Sequence, residues 1–274
     1  MPAPRRALVT GSTDGIGEAI ADALVACGMD VVRHARNEQR AEHCREHAGP
    51  LTEVVIGDFA SLESTKALAA QVTASGPFDV IVHNAGWAAA GDERPVTMDG
   101  IEQTLQVNAL APYVLTALVP LPRRLVFVSS DSIRNAHLDL SDLQHERSWD
   151  AGSAYAESKI ALTAFVLHAA RRYPQVMINA VHPGWVRSKM SGDVAPLSLE
   201  QGADTPVWLA CADEPGAQVS GLFFHDRTPV RYNDQAHDTA VQDAVVRAFA
   251  ELTGVRLPGD DPRDAPPTHG SDRA

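Results

Sequence analysis

Short apolar segments rich in branched side chains alternate along the chain with longer segments whose apolar residues recur at helical spacing. The short segments, which we expect to form strands, cover residues 6–10, 29–34, 52–57, 78–82, 125–129, 176–181 and 221–224. The longer segments, which we expect to form helices, cover residues 16–27, 38–48, 61–74, 98–118, 153–172 and 199–212. Nearly continuous apolar strands joined by helices predict an α/β fold, a single doubly wound parallel sheet with helices on both faces.

The alternation continues without a repeat or a linker from residue 5 to residue 255. We therefore expect one domain over residues 1–257. Residues 258–274 are rich in proline and charge, and we expect them to form a disordered tail. Within the domain, Pro120 and Pro122 cannot continue a helical hydrogen-bond ladder, so helix 98–118 should end by about residue 119.

Charge and composition narrow the class of protein. Acidic residues outnumber basic ones by 35 to 23, for a net charge of −12, which argues against nucleic acid or an anionic membrane as the main partner. No run approaches the ~18 apolar residues of a membrane span, and the first run is too short for a signal peptide, so we expect a cytoplasmic protein. Three cysteines without a CxxC motif predict reduced, mostly buried thiols: Cys27, Cys44 and Cys211. The histidines show no metal-ligand spacing such as HExxH, so we expect no catalytic metal.

A glycine-rich turn follows the first strand and opens the first helix. Glycines in such a turn allow tight bending and close approach of the backbone to a pyrophosphate, while the helix N-terminus offers free N–H groups to the anion. The turn therefore predicts a dinucleotide site, although its GxxxGxG spacing differs from GxGxxG and a purely structural turn is the alternative. The predicted cofactor-binding residues here are Gly11, Ser12, Thr13, Asp14, Gly15, Ile16 and Gly17.

The end of the second strand bears on the choice of cofactor. No acidic residue, which would bind the ribose 2′-hydroxyl of NAD, lies between residues 31 and 37. Arg36 lies there instead, and a planar guanidinium suits the 2′-phosphate of NADP. We therefore expect NADP(H) to be favoured over NAD(H). The alternative is that Arg36 is a solvated residue at a helix start, and the acidic Asp14 in the turn weakens the case for NADP(H).

Tyr155 and Lys159 are four positions apart in a segment with helical periodicity. They should therefore lie on one face, one turn apart. A phenol has an ordinary pKa near ~10, and a fixed ammonium nearby stabilises the phenolate and lowers that pKa. The pair is a candidate proton-transfer device, although alone it could equally be an ordinary surface pair.

Taken together, the motifs resemble those of the short-chain dehydrogenase/reductase family, over roughly residues 6–225. They occur in the family's order: residues 10–17 (TGSTDGIG), 58–59 (DF), 83–86 (HNAG), 108 (N), 129–130 (SS), the Tyr155 and Lys159 pair, and 183–188 (PGWVRS). Residues 131–152, 221–224 and 249–254 resemble the retinol-dehydrogenase-like branch. Members of that branch often act on hydrophobic aldehydes, ketones and alcohols with NADP(H).

The resemblance implies a Rossmann-type fold and a catalytic set. Ser130 would orient the substrate carbonyl, with the adjacent Ser129 as a rival for this role. Tyr155 would be the general acid/base. Lys159 would lower the pKa of the tyrosine and bind the nicotinamide ribose. Asn108 would hold a water in the proton relay.

The resemblance also implies further cofactor contacts. The residues near adenine and its ribose would be Asp58, Phe59, Asn84, Ala85 and Gly86. Those near the nicotinamide would be Pro183, Gly184, Val186 and Ser188, besides Tyr155 and Lys159. The remaining histidines of these motifs, His83 and His182, are expected to be structural.

Three segments depart from the usual family pattern. Ser130 and Tyr155 are 25 positions apart, so residues 131–152 form an insertion expected to shape the pocket mouth. Residues 189–198 are expected to form a mobile lid. The helix that ends before Pro120 often lies in the family's oligomer interfaces, and its shortening leaves monomer and dimer both open.

The sequence thus predicts an NADP(H)-dependent oxidoreductase that interconverts an alcohol and an aldehyde or ketone, with a small, hydrophobic substrate. One alternative is a non-catalytic NADP-binding sensor or scaffold on the same fold. Another is a lyase, epimerase or dehydratase, which would usually need a longer C-terminal substrate domain.

Overall fold

Eight strands form one sheet in the computed structural model, which describes residues 5–189, 192 and 194–259. The strands are β1 (Arg6–Val9), β2 (Asp30–Ala35), β3 (Val54–Ile56), β4 (Val80–His83), β5 (Arg124–Val128), β6 (Met177–His182), β7 (Phe223–His225) and β8 (Thr228–Pro229). Their order across the sheet is β3-β2-β1-β4-β5-β6-β7-β8, with β1 to β7 parallel and β8 antiparallel to β7. The predicted fold class is confirmed, and the antiparallel β8 is an addition that the pattern did not predict.

Helices cover both faces of this sheet. They are α1 (Gly15–Ala26), α2 (Glu38–Ala48), α3 (Leu62–Ser75), α4 (Gln103–Leu105), α5 (Ala111–Leu118), α6 (Ala151–Arg172), α7 (Leu199–Cys211), α8 (Asp234–His237) and α9 (Thr239–Thr253). One apolar core lies between the sheet and α1 with α7, and the other between the sheet and α3, α5, α6 and α9. Because strand order reverses at β1, the carboxyl ends of β1 and β4 border a crevice, the usual place for a ligand in such sheets.

The predicted helix over residues 98–118 is shorter and less regular than expected. It begins at Gln103, because the buried carboxylate of Glu102 accepts the N–H groups of Thr104 (2.7 Å) and Leu105 (2.6 Å). A π-helical segment, Gln106–Leu110, then joins α4 to α5. The chain leaves the helix after Leu118, before the two prolines, as predicted.

A long C-terminal helix, α9, was not among the predicted elements. Phe249 of α9 packs edge-on against Tyr113 of α5, with ring centroids 5.5 Å apart. The Tyr113 hydroxyl donates to the carbonyl of Val255 (2.8 Å), and Arg171 of α6 pairs with Asp243 (2.9 Å). This helix therefore closes the core over α5 and α6. Of the predicted tail, residues 260–274 lie outside the described residues.

The cysteines differ in exposure. Cys44 is buried, Cys211 is half-buried, and Cys27 is exposed because it follows the last residue of α1 at the surface. The expectation of mostly buried thiols is therefore wrong for Cys27.

Among the described helices, none has both the length and the hydropathy needed to cross a membrane.

Candidate active site

A cleft of about 530 Å³ opens at the carboxyl ends of β1, β2, β4 and β5. It brings together most residues that the sequence singled out. The predicted residues lining it are Gly11, Thr13, Asp14, Gly15, Ile16, Gly17, Arg36, Asp58, Phe59, Asn84, Ala85, Gly86, Tyr155, Lys159, Pro183 and Ser188. Four others do not contribute to its wall: Ser12, Asn108, Gly184 and Val186. Ser130 also does not line the cleft, but its hydroxyl is close to Tyr155, which does.

The glycine turn is packed too tightly for side chains. Gly11 and Gly15 have positive φ values of 62° and 61°. A Cβ on Gly11 would lie 2.9 Å from the Cα of Ala85, and one on Gly17 would lie 2.2 Å from the carbonyl oxygen of Gly11. The amide of Asn84 donates to the carbonyls of Thr10 (3.0 Å) and Gly11 (3.2 Å). Asn84 thus acts first as a brace that holds this turn against β4.

A histidine that the sequence analysis did not select also holds the turn. The N–H of Gly11 donates to Nδ1 of His34 (2.9 Å), and Nε2 of His34 lies 2.8 Å from the carbonyl of Gly57. Its ring stacks on Phe59 with centroids 4.6 Å apart. Burial lowers the pKa of His34 to about 4, so the ring is neutral at ordinary pH. Phe59 therefore contributes its side chain to the turn, through this ring. The position of His34 near the end of β2 was the one feature of the sequence that could have pointed to this role.

Charged side chains surround the outer end of the turn. The carboxylate of Asp14 pairs with Arg40 and with Lys189 (2.6 Å for the latter). Partial burial raises the pKa of Asp14, but the hydrogen bonds and charges of these two cations outweigh it, and the net pKa lies below the ordinary value. Arg36 is exposed and lines the same end of the cleft. Arg40 was missed, although it lies one helical turn after Arg36. We call Asp14, Arg36, Arg40 and Lys189 the basic corner.

Ser12 and Val186 face the protein interior. The Ser12 hydroxyl donates to the carbonyl of Val9 (2.8 Å) and accepts the N–H of His34 (3.0 Å). The buried Val186 packs against Gly202 of α7. A Cβ added to Gly202 would lie 2.5 Å from the Val186 side chain. Cofactor contacts from these two residues would therefore come from their backbone.

Asn108 lies at the centre of the π-helical segment and is fully buried. Its side-chain oxygen accepts the N–H of Trp87 (2.7 Å), and its amide donates to the Trp87 carbonyl (2.9 Å) and the Ser158 hydroxyl (3.0 Å). A Cβ on Gly86 would lie 3.5 Å from Nζ of Lys159 and 3.6 Å from Oδ1 of Asn108. Asn108 therefore joins the end of β4 to α6 and faces the lysine across Gly86.

Ser130 and Ser129 point in different directions. The Ser130 oxygen accepts the N–H of Ser132 (3.1 Å), and its hydroxyl is close enough to Tyr155 to act on the pKa of the phenol. The Ser129 hydroxyl lies 2.9 Å from that of Thr163, inside the protein. The geometry therefore favours Ser130 over Ser129 as the serine that works with the tyrosine.

Tyr155 and Lys159 share α6, and burial is the largest cause of the pKa shift of each. Burial raises the pKa of Tyr155, and the hydrogen bond from Ser130 offsets only part of that rise, while the charge of Asp131 adds to it. Lys159 donates to the carbonyl of Val128 (2.9 Å), and its Nζ lies 5.9 Å from the centre of the Tyr155 ring. Burial lowers the pKa of Lys159 itself to about 8.

The two motif histidines lie in structural positions. His83 is buried and stacks on Phe127 with centroids 4.5 Å apart, and burial lowers its pKa to about 3. Nδ1 of His182 accepts the N–H of Asp131 (3.2 Å), and burial lowers the pKa of His182 to about 4. Both rings are therefore neutral near pH 7 and hold strand ends.

The insertion is anchored to the C-terminal segment. The Asn233 amide donates to the carbonyls of Ile133 (2.8 Å) and Ala136 (3.0 Å). Gln235 exchanges two hydrogen bonds with the backbone of Leu138. Residues 131–138 are thus held beside Ser130 by backbone contacts.

The predicted lid, residues 189–198, falls partly outside the described residues, which omit 190, 191 and 193. Its described end is tied down. Arg187 donates to the carbonyls of Ala195 (3.2 Å) and Pro196 (3.0 Å).

Away from the cleft, three exposed residues of α2 have possible metal-ligating atoms within 4.8 Å of one another. They are His43, Glu46 and His47.

Comparisons with known proteins show the family of this chain. Residues 5–197 match the family model described as short chain dehydrogenase. The short-chain dehydrogenase chry4 of Gibberella zeae is 35% identical over 261 residues, covering 92% of this chain and 98% of that protein. DnrU of Streptomyces sp., whose name proposes a daunorubicin C-13 ketoreductase, is 36% identical over 273 residues, covering 91% of this chain and 93% of its own. A short chain dehydrogenase of Burkholderia cenocepacia, solved in complex with NADP, superimposes with a TM-score of 0.64 at 26% identity, over 80% of this chain and 95% of its own.

Proposed function

Because the chain belongs to the short-chain dehydrogenase family, we propose that it is an NADP(H)-dependent oxidoreductase that interconverts an alcohol and an aldehyde or ketone. One observation carries the proposal. Tyr155 lines the same cleft as the packed glycine turn, and the hydroxyl of Ser130, which follows β5, acts on the pKa of this tyrosine. A proton donor and an anion cradle at one crevice fit hydride chemistry on a carbonyl.

The residues of the cleft fit a dinucleotide that carries a 2′-phosphate. The turn at Gly11 and Gly17 leaves no room for side chains, and the helix that follows it begins at Gly15. Such a helix start favours a pyrophosphate. The basic corner holds three cations, Arg36, Arg40 and Lys189, and one anion, Asp14. Its net charge is therefore positive, which suits a further phosphate. A bound nicotinamide cofactor would supply or accept the hydride.

Ser130 and Tyr155 would handle the substrate oxygen. Because the Ser130 oxygen already accepts the N–H of Ser132, its own hydrogen is free to be donated to Tyr155. The tyrosine then accepts from the serine and presents its hydroxyl hydrogen to the carbonyl oxygen. The raised pKa keeps Tyr155 protonated at neutral pH, so it serves as the acid in the direction of carbonyl reduction.

Lys159 and Asn108 would support this acid from behind. The ammonium of Lys159 is buried, donates to Val128 and lies one helical turn from Tyr155. With a pKa near 8 it can hold or release a proton near neutral pH, so it is suited to hand protons on. Asn108 fixes the end of β4 across Gly86 from this ammonium. Holding the ribose of the cofactor is the second role we propose for Lys159.

The substrate would be a small hydrophobic carbonyl compound. Trp87 and Val107 line the same cleft as Tyr155, and Trp185, which is 55% exposed, follows the cleft residue Pro183 by two positions. Aromatic walls favour apolar or aromatic ketones. The ketoreductase name of DnrU supports the inclusion of polycyclic aromatic ketones among the compounds to try.

The test is turnover by the purified full chain with NADPH and with NADH against aliphatic, aryl and polycyclic ketones and aldehydes, followed by loss of absorbance of the reduced cofactor. We expect consumption of NADPH that exceeds that of NADH. Tyr155→Phe keeps the ring and removes the hydroxyl, so it should lower kcat by roughly 10²–10⁴-fold while NADPH still binds.

Either of two results would contradict the proposal. Retained activity in Tyr155→Phe would show that another group supplies the proton. Tight NADPH binding without turnover of any carbonyl in the panel would favour the non-catalytic sensor.

A further inference from the structure

Two cysteines that are 184 positions apart in the chain lie side by side in the structure. The Sγ atoms of Cys27 and Cys211 are 3.5 Å apart. Cys27 follows the last residue of α1, and Cys211 is the last residue of α7. They meet because α1 and α7 pack against each other on the same face of the sheet. Neither residue takes part in the proposed reaction.

Both sulfurs can be reached from solvent. Cys27 is exposed, Cys211 is half-buried, and both line a surface cleft of about 780 Å³ between α1 and α7. The third cysteine, Cys44, is buried in α2. The structure therefore separates one accessible pair from one protected thiol.

The two thiols differ in their chemistry. Burial raises the pKa of Cys211 to about 11, and the hydrogen bond with Cys27 adds to this rise. The charges of Arg5 and Arg124 lower that pKa only in part. Because the thiolate is the nucleophile, the exposed Cys27 is the thiol that an incoming oxidant meets first.

We propose that Cys27 and Cys211 are a reversible modification site that closes to an intramolecular disulfide. The oxidant is a low-molecular-weight disulfide, RSSR. The Cys27 thiolate attacks one of its sulfurs, and one RSH leaves. The Cys211 thiolate then attacks Sγ of Cys27 and expels the second RSH. The two protein thiols lose two electrons and two protons, and RSSR is reduced to two RSH. The sulfurs must approach from 3.5 Å to ~2.05 Å, a small change for adjacent side chains at two helix ends.

The bond would tie the last turns of α1 and α7 together. α1 starts in the glycine turn and α7 starts after residues 189–198, so the pair lies at the other end of both helices from the cleft. Such a bond closes a long loop, which restricts the unfolded chain and raises stability. Oxidation should therefore stabilise the protein without touching a residue of the candidate active site.

The test uses the purified full chain with oxidised glutathione as the probe, followed by removal of the probe and titration of thiols under denaturing conditions. The chain holds three thiols, and we expect the number to fall to one. Peptide mapping without reductant should recover one peptide pair that links residues 27 and 211. The thermal midpoint should rise by roughly 5 °C or more and return after dithiothreitol.

Matched variants keep the proposal falsifiable. Cys44→Ser should still close the bond and leave no free thiol. Cys27→Ser should melt like the reduced parent and gain nothing from oxidised glutathione. Three unchanged thiols, a persistent glutathione adduct on Cys27 beside a free Cys211, or a link between two chains would each overturn the proposal. No cofactor or substrate enters this test, so it stands apart from the proposed reaction.

Discussion

The two ends of the cleft are built in different ways. At the catalytic end, Asn108 and Lys159 are 0% and 3% exposed and are held by direct bonds to the backbone. At the basic corner, the side chain of Lys189 is 80% exposed and that of Asp14 is 37% exposed. Buried hydrogen bonds position groups rigidly, whereas exposed ion pairs are weak and screened by salt. In the proposed reaction, Tyr155 and Lys159 would thus act from a fixed frame, whereas binding of the 2′-phosphate would depend on exposed and adaptable charges.

The largest expected effect tests the rigid end and separates its two serines. Ser130→Ala removes the hydroxyl that we propose orients the substrate carbonyl beside Tyr155, and it should lower kcat by roughly 10²-fold or more. Ser129→Ala removes only an internal hydroxyl and should cost about 1 kcal/mol of unfolding free energy with kcat nearly unchanged. Steady-state kinetics and thermal melts measure both. The reverse pattern would assign the substrate to Ser129.

The next effect tests the adaptable end. Charge-assisted hydrogen bonds to a phosphate contribute roughly 1.5–3 kcal/mol, so Arg36→Gln and Arg40→Gln should each weaken NADPH binding by about tenfold or more. Binding of NADH should hardly change. Arg45→Gln is the matched control, because Arg45 lies on the same helix and pairs with Glu38 (3.0 Å). Titration calorimetry measures both affinities. Equal losses of affinity for NADPH and NADH would show that these arginines do not bind the 2′-phosphate.

A pH profile should show the buried lysine. Burial lowers the pKa of Lys159 to about 8, so its side chain is charged below that pH and neutral above it. We expect kcat/KM for carbonyl reduction to be flat below about pH 8 and to fall by up to tenfold per unit above it. Alcohol oxidation, which needs Tyr155 to accept a proton, should rise over the same range. Lys159→Arg should move the inflection upward, and a profile of reduction that stays flat would contradict the assignment.

The smallest effect concerns the acid in the basic corner. The carboxylate of Asp14 forms ion pairs with Arg40 and Lys189. Asp14→Asn removes both ion pairs, so both cations could bind the cofactor, and the affinity for NADPH should rise by roughly threefold. The gain should shrink as salt rises, because these charges are exposed. Titrations at low and high salt measure it. Weaker binding in the variant would mean that Asp14 mainly positions Arg40.

The residues that sequence reasoning identified and those that it missed differ in how they are positioned. Tyr155 and Lys159 were found because their spacing along one helix already places them on one face. The turn at Gly11 was found because glycines between a strand and a helix have few other uses. His34 and Arg40 were missed because their positions, at the end of β2 and four residues after Arg36, do not by themselves show that β2 and α2 pack beside that turn.

The sequence by itself determined the alternation of strands and helices, the glycine turn and the one-turn relation of Tyr155 and Lys159. Each depends on residues close together in the chain, where backbone periodicity sets which side chains share a face. Only the tertiary structure decided which serine meets the tyrosine, which cations surround Asp14, how α9 closes the core and that Cys27 meets Cys211. Those contacts join distant segments, and packing of helices on the sheet sets them to within an ångström, which no local pattern encodes.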